Sequence, residues 1–421
     1  MYSKVMLDTF VTSLKDPNWV ARVQSWLGVS YAESETNTNT LLSNQIAEFI
    51  GDTQDTDSPP PPEPYHRSPS EERLHELGQI DISRRKEQLS QTRRPVRTNP
   101  ILHVYFSLAT ELGYEPFYIT FIPFIFWSYD PYIGYRITAN WVVSMYVGQA
   151  LKNYWRIPRP ACPPAIPLEL ETATEYGAPS THAIVGTGLP FYTLYLVYNN
   201  YEISFLPSLS LAVLWCVSIC LSRVYLGVHS LWDIVTGILI SVSILLLVEP
   251  VLNICDPVLF ERPGFVFVLP LLQILLIKIY PKVEWWSMDL GDTTAILGSG
   301  SSMIMGCFLN TSYYTFFLGH LVTKGCLGFA VGTITIEKIG LSVLRSVIGI
   351  LILIPVRFSS KFLFYRIIPP LFGNHLPLDQ VTKIPHYELP YKYLTYNLIG
   401  LCITLFVPKA FILLGIPNIS L

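Results

Sequence analysis

Three short polar stretches interrupt a chain that is half hydrophobic. KNYWRIPRP carries Lys152, Arg156, Arg159 and Pro160; YGAPSTH carries Pro179, Ser180, Thr181 and His182; SRVYLGVHSLWD carries Ser222, Arg223, His229 and Asp233. Guanidinium forks match phosphate oxygens in pairs and an ammonium adds a point charge, so Arg159, Arg223 and Lys152 suit a phosphate monoester. Ser180 and the backbone N–H groups of residues 180–182 stand where a helix begins, with its positive end toward an anion.

Phosphoryl transfer also needs a nucleophile in line with the leaving oxygen. No cysteine-based phosphatase loop, aspartate-rich magnesium cluster or paired-metal carboxylate set lies near these stretches, which leaves a histidine. His229 has Asp233 one helical turn later, on the same face. A carboxylate accepting from one imidazole nitrogen fixes the tautomer and frees the other nitrogen to attack. His182 then protonates the leaving alkoxide and afterwards activates water against the phosphohistidine. That scheme needs no metal and no other cofactor.

Each stretch alone also has an ordinary explanation. Lys and Arg at a span end snorkel to lipid headgroups. Pro-Ser-Thr before an apolar run is a hydroxyl cap. The elements that must position the residues argue for convergence instead. Charged residues make up only 14% of the 421 residues, and the apolar runs are long enough to cross a bilayer, which takes about 20 helical residues. The spans fall at about 104–128, 134–154, 183–200, 206–224, 230–249, 264–280, 291–309, 339–357 and 393–415, with 313–334 either a further span or an interfacial helix. The expected fold is an all-α polytopic membrane protein, a bundle of about nine transmembrane helices (about eight to ten). Two helices separate the second stretch from the third, so the chain crosses and returns, and all three stretches share one membrane face. Ionisable groups in such a place are costly, which makes a functional cause the default.

The rest of the chain adds bounds. Met1 to Leu27 reads as an amphipathic helix that lies on a membrane surface or packs on the main body. Residues 28–75, with SPPPPEP among them, read as a disordered linker, and a basic cluster at 84–97 leads into the first span. A formal net charge of −3 without a basic surface gives no nucleic-acid partner. The seven cysteines, scattered at 162, 216, 220, 255, 307, 326 and 402, read as small hydrophobic residues, and Cys216 and Cys220, one turn apart, suit packing better than a disulfide.

The ordered set Lys152–Arg159–Pro160, Pro179-Ser180-Thr181-His182 and Ser222-Arg223–His229–Asp233 resembles the type 2 phosphatidic acid phosphatase family, over about residues 100–250. The resemblance implies a six-helix catalytic core at 101–250, a polar region at 1–100 before it and additional helices at 251–421 after it. It implies phosphate binding by Lys152, Arg159, Ser180, Thr181 and Arg223, with His182 as acid, His229 as nucleophile and Asp233 as its orienter. Thr181 stands where the family usually has glycine; that departure and the wording KNYWRIPRPACPP and EYGAPSTHA are most similar to the sphingosine-1-phosphate phosphatase subgroup of the endoplasmic reticulum. Arg156, outside the signature, is left as a headgroup contact.

The expected reaction is therefore hydrolysis of a sphingoid base 1-phosphate, the lipid partner, to the free base. Phosphatidate, lysophosphatidate or an isoprenoid diphosphate are rival substrates; a lipid phosphotransferase of the sphingomyelin-synthase type and a non-enzymatic membrane scaffold or transporter are rivals of another class. The basic 84–97 cluster places the N-terminal tail and the site together on the cytosolic side. The resemblance implies a lumenal site, and that is the expectation carried forward.

Overall fold

Asp16 and Pro17 start helix α1 (Pro17–Trp26): the carboxylate accepts from the Asn18 amide at 2.9 Å, and proline takes the first helical position. The computed structural model describes residues 9, 11–31, 95–97, 99–169, 175–281, 288–310, 335–371 and 385–416. The 313–334 segment and nearly all of the expected 28–75 linker lie outside them.

Helix α1 packs on the main body. Val20 is fully buried in a cluster with Cys216, Cys220 and Val224, while Trp26 on the other face is exposed. Gln24, also fully buried, donates from Nε2 to the carbonyls of Ile166 (2.6 Å) and Tyr225 (3.0 Å) and accepts from the Ile166 amide at 2.9 Å. Gln24→Ala should therefore cost about 1–3 kcal/mol, since it strands buried backbone groups; the melting temperature of the detergent-solubilised protein checks this.

Two short strands, β1 (Val29–Tyr31) and β2 (Pro95–Arg97), pair antiparallel with Ser30 opposite Val96. At Val29–Tyr31 the expected linker is in fact an edge of this ribbon. Every other element among the described residues is helical, and the fold is an all-α membrane bundle.

The first expected span, 104–128, is not one helix. It divides into α2 (Pro100–Glu111) and α3 (Glu115–Phe124), with a π-helical turn at Ile125–Tyr129. Pro116 in the first turn of α3 cannot donate an amide to a continuing helix, and Tyr114 is extended. The break turns Tyr114 inward.

Helix α4 (Pro131–Trp155) is capped by Asp130, whose carboxylate accepts from the Tyr132 and Ile133 amides. Its buried face holds Arg136, Asn140, Gln149, Lys152 and Asn153, an unusually polar lining for a span. At its first turns Arg136 pairs with Asp256 (2.6 Å) and Glu249 (3.0 Å). Lys152 lies about 24 Å further along the axis, at the other end.

Helices α5 (Thr181–Asn200), α6 (Phe205–Tyr225) and α7 (Leu231–Glu261) follow; α5 packs on α4, α6 and α7, α7 also packs on α4, and α6 packs on α2. Helix α8 (Val268–Ile279) is short, and α9 (Met288–Leu309), α10 (Ile336–Leu371) and α11 (Pro385–Leu401) make a second group. A π turn at Cys402–Phe406 and α12 (Val407–Leu413) close it. The two groups share a core: Trp127 donates from its indole N–H to the Ile403 carbonyl at 2.8 Å. Helices Phe205–Tyr225, Leu231–Leu259, Ile336–Leu371 and His386–Leu413 are long and apolar enough to cross a membrane, so the protein is multi-pass. Helix α4 has the length but not the hydropathy, because its polar side chains face inward. Cys216 and Cys220 carry free thiols.

Candidate active site

Four helix ends meet on one face of the bundle: the last turns of α4 and α6 and the first turns of α5 and α7. Lys152 stands on the last turn of α4. Arg156 ends that helix in the left-handed region (φ 53°), and its side chain is exposed and does not line the cavity described below. The chain then returns through a bridge between Ile157 and Ala178, which sets Arg159 beside Glu175.

Ser180 caps α5, its hydroxyl accepting from the Ala183 amide at 3.4 Å. Its own N–H is not free, contrary to expectation: it donates to the Asp233 carbonyl at 3.0 Å, tying α5 to α7. The first-turn amides of α5 without an intrahelical acceptor are thus those of Thr181 and His182. Ser230 and Asp233 make a reciprocal cap on α7, with the Ser230 amide donating to Asp233 Oδ2 at 2.7 Å. His229 Nδ1 lies 3.4 Å from that same oxygen. That is long for an N–H···O bond, so Asp233 is held first by its cap and faces the imidazole second.

Arg223 is 1% exposed. It donates to the Thr110 hydroxyl at 2.6 Å, pairs with Glu169 at 3.2 Å and sits over the Tyr114 ring. Tyr114 donates to Glu169 and packs edge-on against His182. Arg159 donates from one terminal nitrogen to the Val228 carbonyl at 2.8 Å and from the other to Glu175 Oε2 at 3.3 Å. Lys152 donates to the same Glu175 oxygen. Sequence reasoning missed Thr110, Tyr114 and Glu169; Glu175 opens the EYGAPSTHA stretch, yet spacing gave it no role.

These groups face a cavity of about 350 Å³. Lys152, Arg159, Glu175, Thr181, His182, Arg223 and His229 are among its lining, and the rest is mostly apolar, with Met145, Met303, Leu353, Ile399 and Ile403, though Glu115, Asp292 and Arg357 also line it. Ser180 and Asp233 stand behind the wall. His182 Nε2 is buried with no hydrogen-bond partner among the described residues. Burial, then the charges of Arg159, Arg223 and Lys152, hold the His229 imidazole well below its ordinary pKa. Burial works to raise Glu175, but Lys152 and Arg159 outweigh it and hold that carboxyl below its ordinary range. Among the described residues no group of three or more His, Cys, Asp or Glu is arranged to hold a metal ion.

Gly113 lets the His182 ring approach: a Cβ there would lie 2.3 Å from His182 Cδ2. Gly113→Ala should displace the imidazole and lower kcat by about a hundredfold with little change in KM; steady-state kinetics of the purified variant would show it.

A family model described as the PAP2 superfamily matches residues 135–253, which contain all three polar stretches. Sphingosine-1-phosphate phosphatase 1 of Rattus norvegicus is 36% identical over 76% of this chain and 74% of its own. The chain belongs to the PAP2 superfamily, in its sphingosine-1-phosphate phosphatase subgroup. Sphingosine-1-phosphate phosphatase 2 of Homo sapiens is 32% identical over 76% of this chain and 79% of its own. A dihydrosphingosine 1-phosphate phosphatase of Schizosaccharomyces pombe is 36% identical over a shorter stretch, 35% of this chain and 37% of its own. No solved structure matches. The PAP2 match ends in α7, so α9, α10 and α11, which wall much of the cavity, lie beyond it.

Proposed function

We propose that this protein hydrolyses sphingoid base 1-phosphates to the free base and inorganic phosphate. The observation that carries the reading is a cavity in which three cations and two histidines share the lining with a mostly apolar wall. A phosphate monoester on a long chain matches both ends. The relatives named for sphingosine-1-phosphate and dihydrosphingosine-1-phosphate supply the substrate class.

In this reading His229 Nε2 attacks phosphorus while the bond to the lipid oxygen breaks, and His182 gives that oxygen a proton. Lys152, Arg159, Arg223 and the amides of Thr181 and His182 hold the equatorial oxygens. Ser180 fixes the cap that presents those amides, and Asp233 orients His229. His182 then takes a proton from water, which attacks the phosphohistidine and releases phosphate. Residues 101–250 carry this chemistry, residues 1–100 form the polar region before it, and residues 251–421 enclose the chain of the lipid. No metal enters a step. The protein resides in the endoplasmic reticulum membrane with its site toward the lumen, and a tag on the N-terminus in selectively permeabilised cells reads that sidedness.

The test is phosphate release from vesicles carrying matched substrates, with a chelator present and no acceptor lipid. Sphingosine 1-phosphate should be the faster substrate, with no loss to the chelator. Faster turnover of phosphatidate or an isoprenoid diphosphate would sink the substrate class. Release that required an acceptor lipid would mean phosphotransfer instead.

A further inference from the structure

Glu175 stands where phosphate must bind. Its Oε2 accepts from both Lys152 Nζ and Arg159 Nη2, two of the cations that the reaction needs for the phosphate oxygens. A phosphate dianion and this carboxylate cannot share those N–H groups, because each would repel the other at close range in a buried site. Arg223 differs. Its partner Glu169 is also held by the Tyr114 hydroxyl, and Glu169 does not line the cavity. The competition is thus concentrated on Glu175.

The backbone at Glu175 is held by backbone and Arg159 Nε, while its side chain is held only through Lys152 and Arg159 in these contacts. The Gly177 amide donates to the Ile157 carbonyl at 2.7 Å, and Arg159 Nε donates to the Glu175 carbonyl at 3.1 Å. Rotation of the side chain alone therefore frees Lys152 Nζ and Arg159 Nη2, with Arg159 still anchored through Nε and through Val228. A carboxylate so displaced needs a cation. A sphingoid base 1-phosphate brings one, an ammonium on the carbon next to the one that bears the phosphate ester. Phosphatidate and lysophosphatidate carry an oxygen there.

We propose that Glu175 is the specificity-determining residue of this phosphatase, exchanging Lys152 and Arg159 for the ammonium of the incoming sphingoid base. It works by repulsion as much as by attraction, because a phosphate lipid without the amine leaves the displaced carboxylate facing an uncompensated dianion. This rests on the reading of the cavity as a sphingoid phosphate site. Glu115 and Asp292 also line the cavity, but Glu115 accepts from the Tyr396 hydroxyl at 3.1 Å and Asp292 from Lys392 at 3.1 Å. Neither engages the phosphate-binding cations in these contacts.

The experiment compares kcat/KM for sphingosine 1-phosphate with that for a lysophosphatidate of matched chain, in wild type, Glu175→Gln, Glu115→Gln and Asp292→Asn. The wild-type preference for the amine should fall at least about fivefold in Glu175→Gln and hold in the other two, since loss of one charged contact is worth about that much or more. Inorganic phosphate should also inhibit Glu175→Gln at lower concentration, because the carboxylate no longer competes for Lys152 and Arg159. A smaller fall, or a collapse of preference in Glu115→Gln or Asp292→Asn instead, overturns the proposal. Wild type alone supplies a second test that does not depend on a folded variant: an analogue with hydroxyl in place of the amine should be a poor substrate, and equal turnover overturns the proposal. Failure of wild type to hydrolyse any sphingoid phosphate would instead remove the substrate class on which the proposal rests.

Discussion

His229→Ala should lower kcat by about ten-thousandfold or more while the protein still folds and reaches the membrane. The imidazole is 2% exposed in a loop between two capped helices. Among the described residues it makes no hydrogen bond through Nδ1, so its removal leaves little unsatisfied. The loss falls on the chemical step, because nothing else at the cationic end of the cavity has a nucleophilic nitrogen facing an aspartate. Phosphate binding should survive, since Lys152, Arg159 and Arg223 are untouched. Inorganic phosphate protecting the variant against thermal unfolding, together with absence of an acid-labile phosphoenzyme, would separate this from a folding defect. Retained turnover would remove His229 as nucleophile.

Arg223→Ala should cost about a hundred- to a thousandfold in kcat/KM and also destabilise the protein. The guanidinium does two jobs at one address. It faces the phosphate end of the cavity, and it is the cation that balances Glu169 while bonding the Thr110 hydroxyl. Breaking a buried pair by removing one partner leaves the other charge uncompensated; with the Glu169 side chain 21% exposed, the cost falls toward the low end, about 3 kcal/mol or less. Arg223→Lys keeps the charge but loses the planar fork, so it should recover part of the stability and little of the rate. A Lys variant with wild-type kcat/KM would show that Arg223 serves the fold and not the phosphate.

Most of the site could be read from spacing because helix ends can be read from spacing. Pro179-Ser180-Thr181 and Ser230 with Asp233 announce the starts of α5 and α7, and the apolar runs between them fix how often the chain crosses. Once those ends lie on one face, Lys152, Arg159, His182, Arg223 and His229 have to converge. The partners of the cations could not be read that way. Glu169 and Glu175 reach Arg223, Arg159 and Lys152 from the connection between the first two polar stretches, which no helical period constrains. Tyr114 was hidden for a related reason. Hydropathy averages over a span, and a break at Leu112–Tyr114 does not lower that average enough to register, yet it is what presents the ring to His182 and Arg223. Spacing put Asp233 on the His229 face, but it could not say that a backbone amide would take the shorter bond to the same oxygen. The apolar wall from α9, α10 and α11 depends on tertiary packing and leaves no local mark.

The amide clamp of Gln24 changes what counts as the smallest working enzyme. Gly227, at φ +70°, has no room for a Cβ because the Ile166 carbonyl and Gln24 Nε2 would lie 2.3 and 2.7 Å from it. One side chain from α1 thus seals the seam where the Glu169-bearing loop meets the turn that links Arg223 to His229. A truncation designed to begin at the first apolar run would keep every reacting group and lose the seal that holds two of their supports in register. The N-terminal segment should therefore be needed for full activity, although about seventy residues of chain separate α1 from α2.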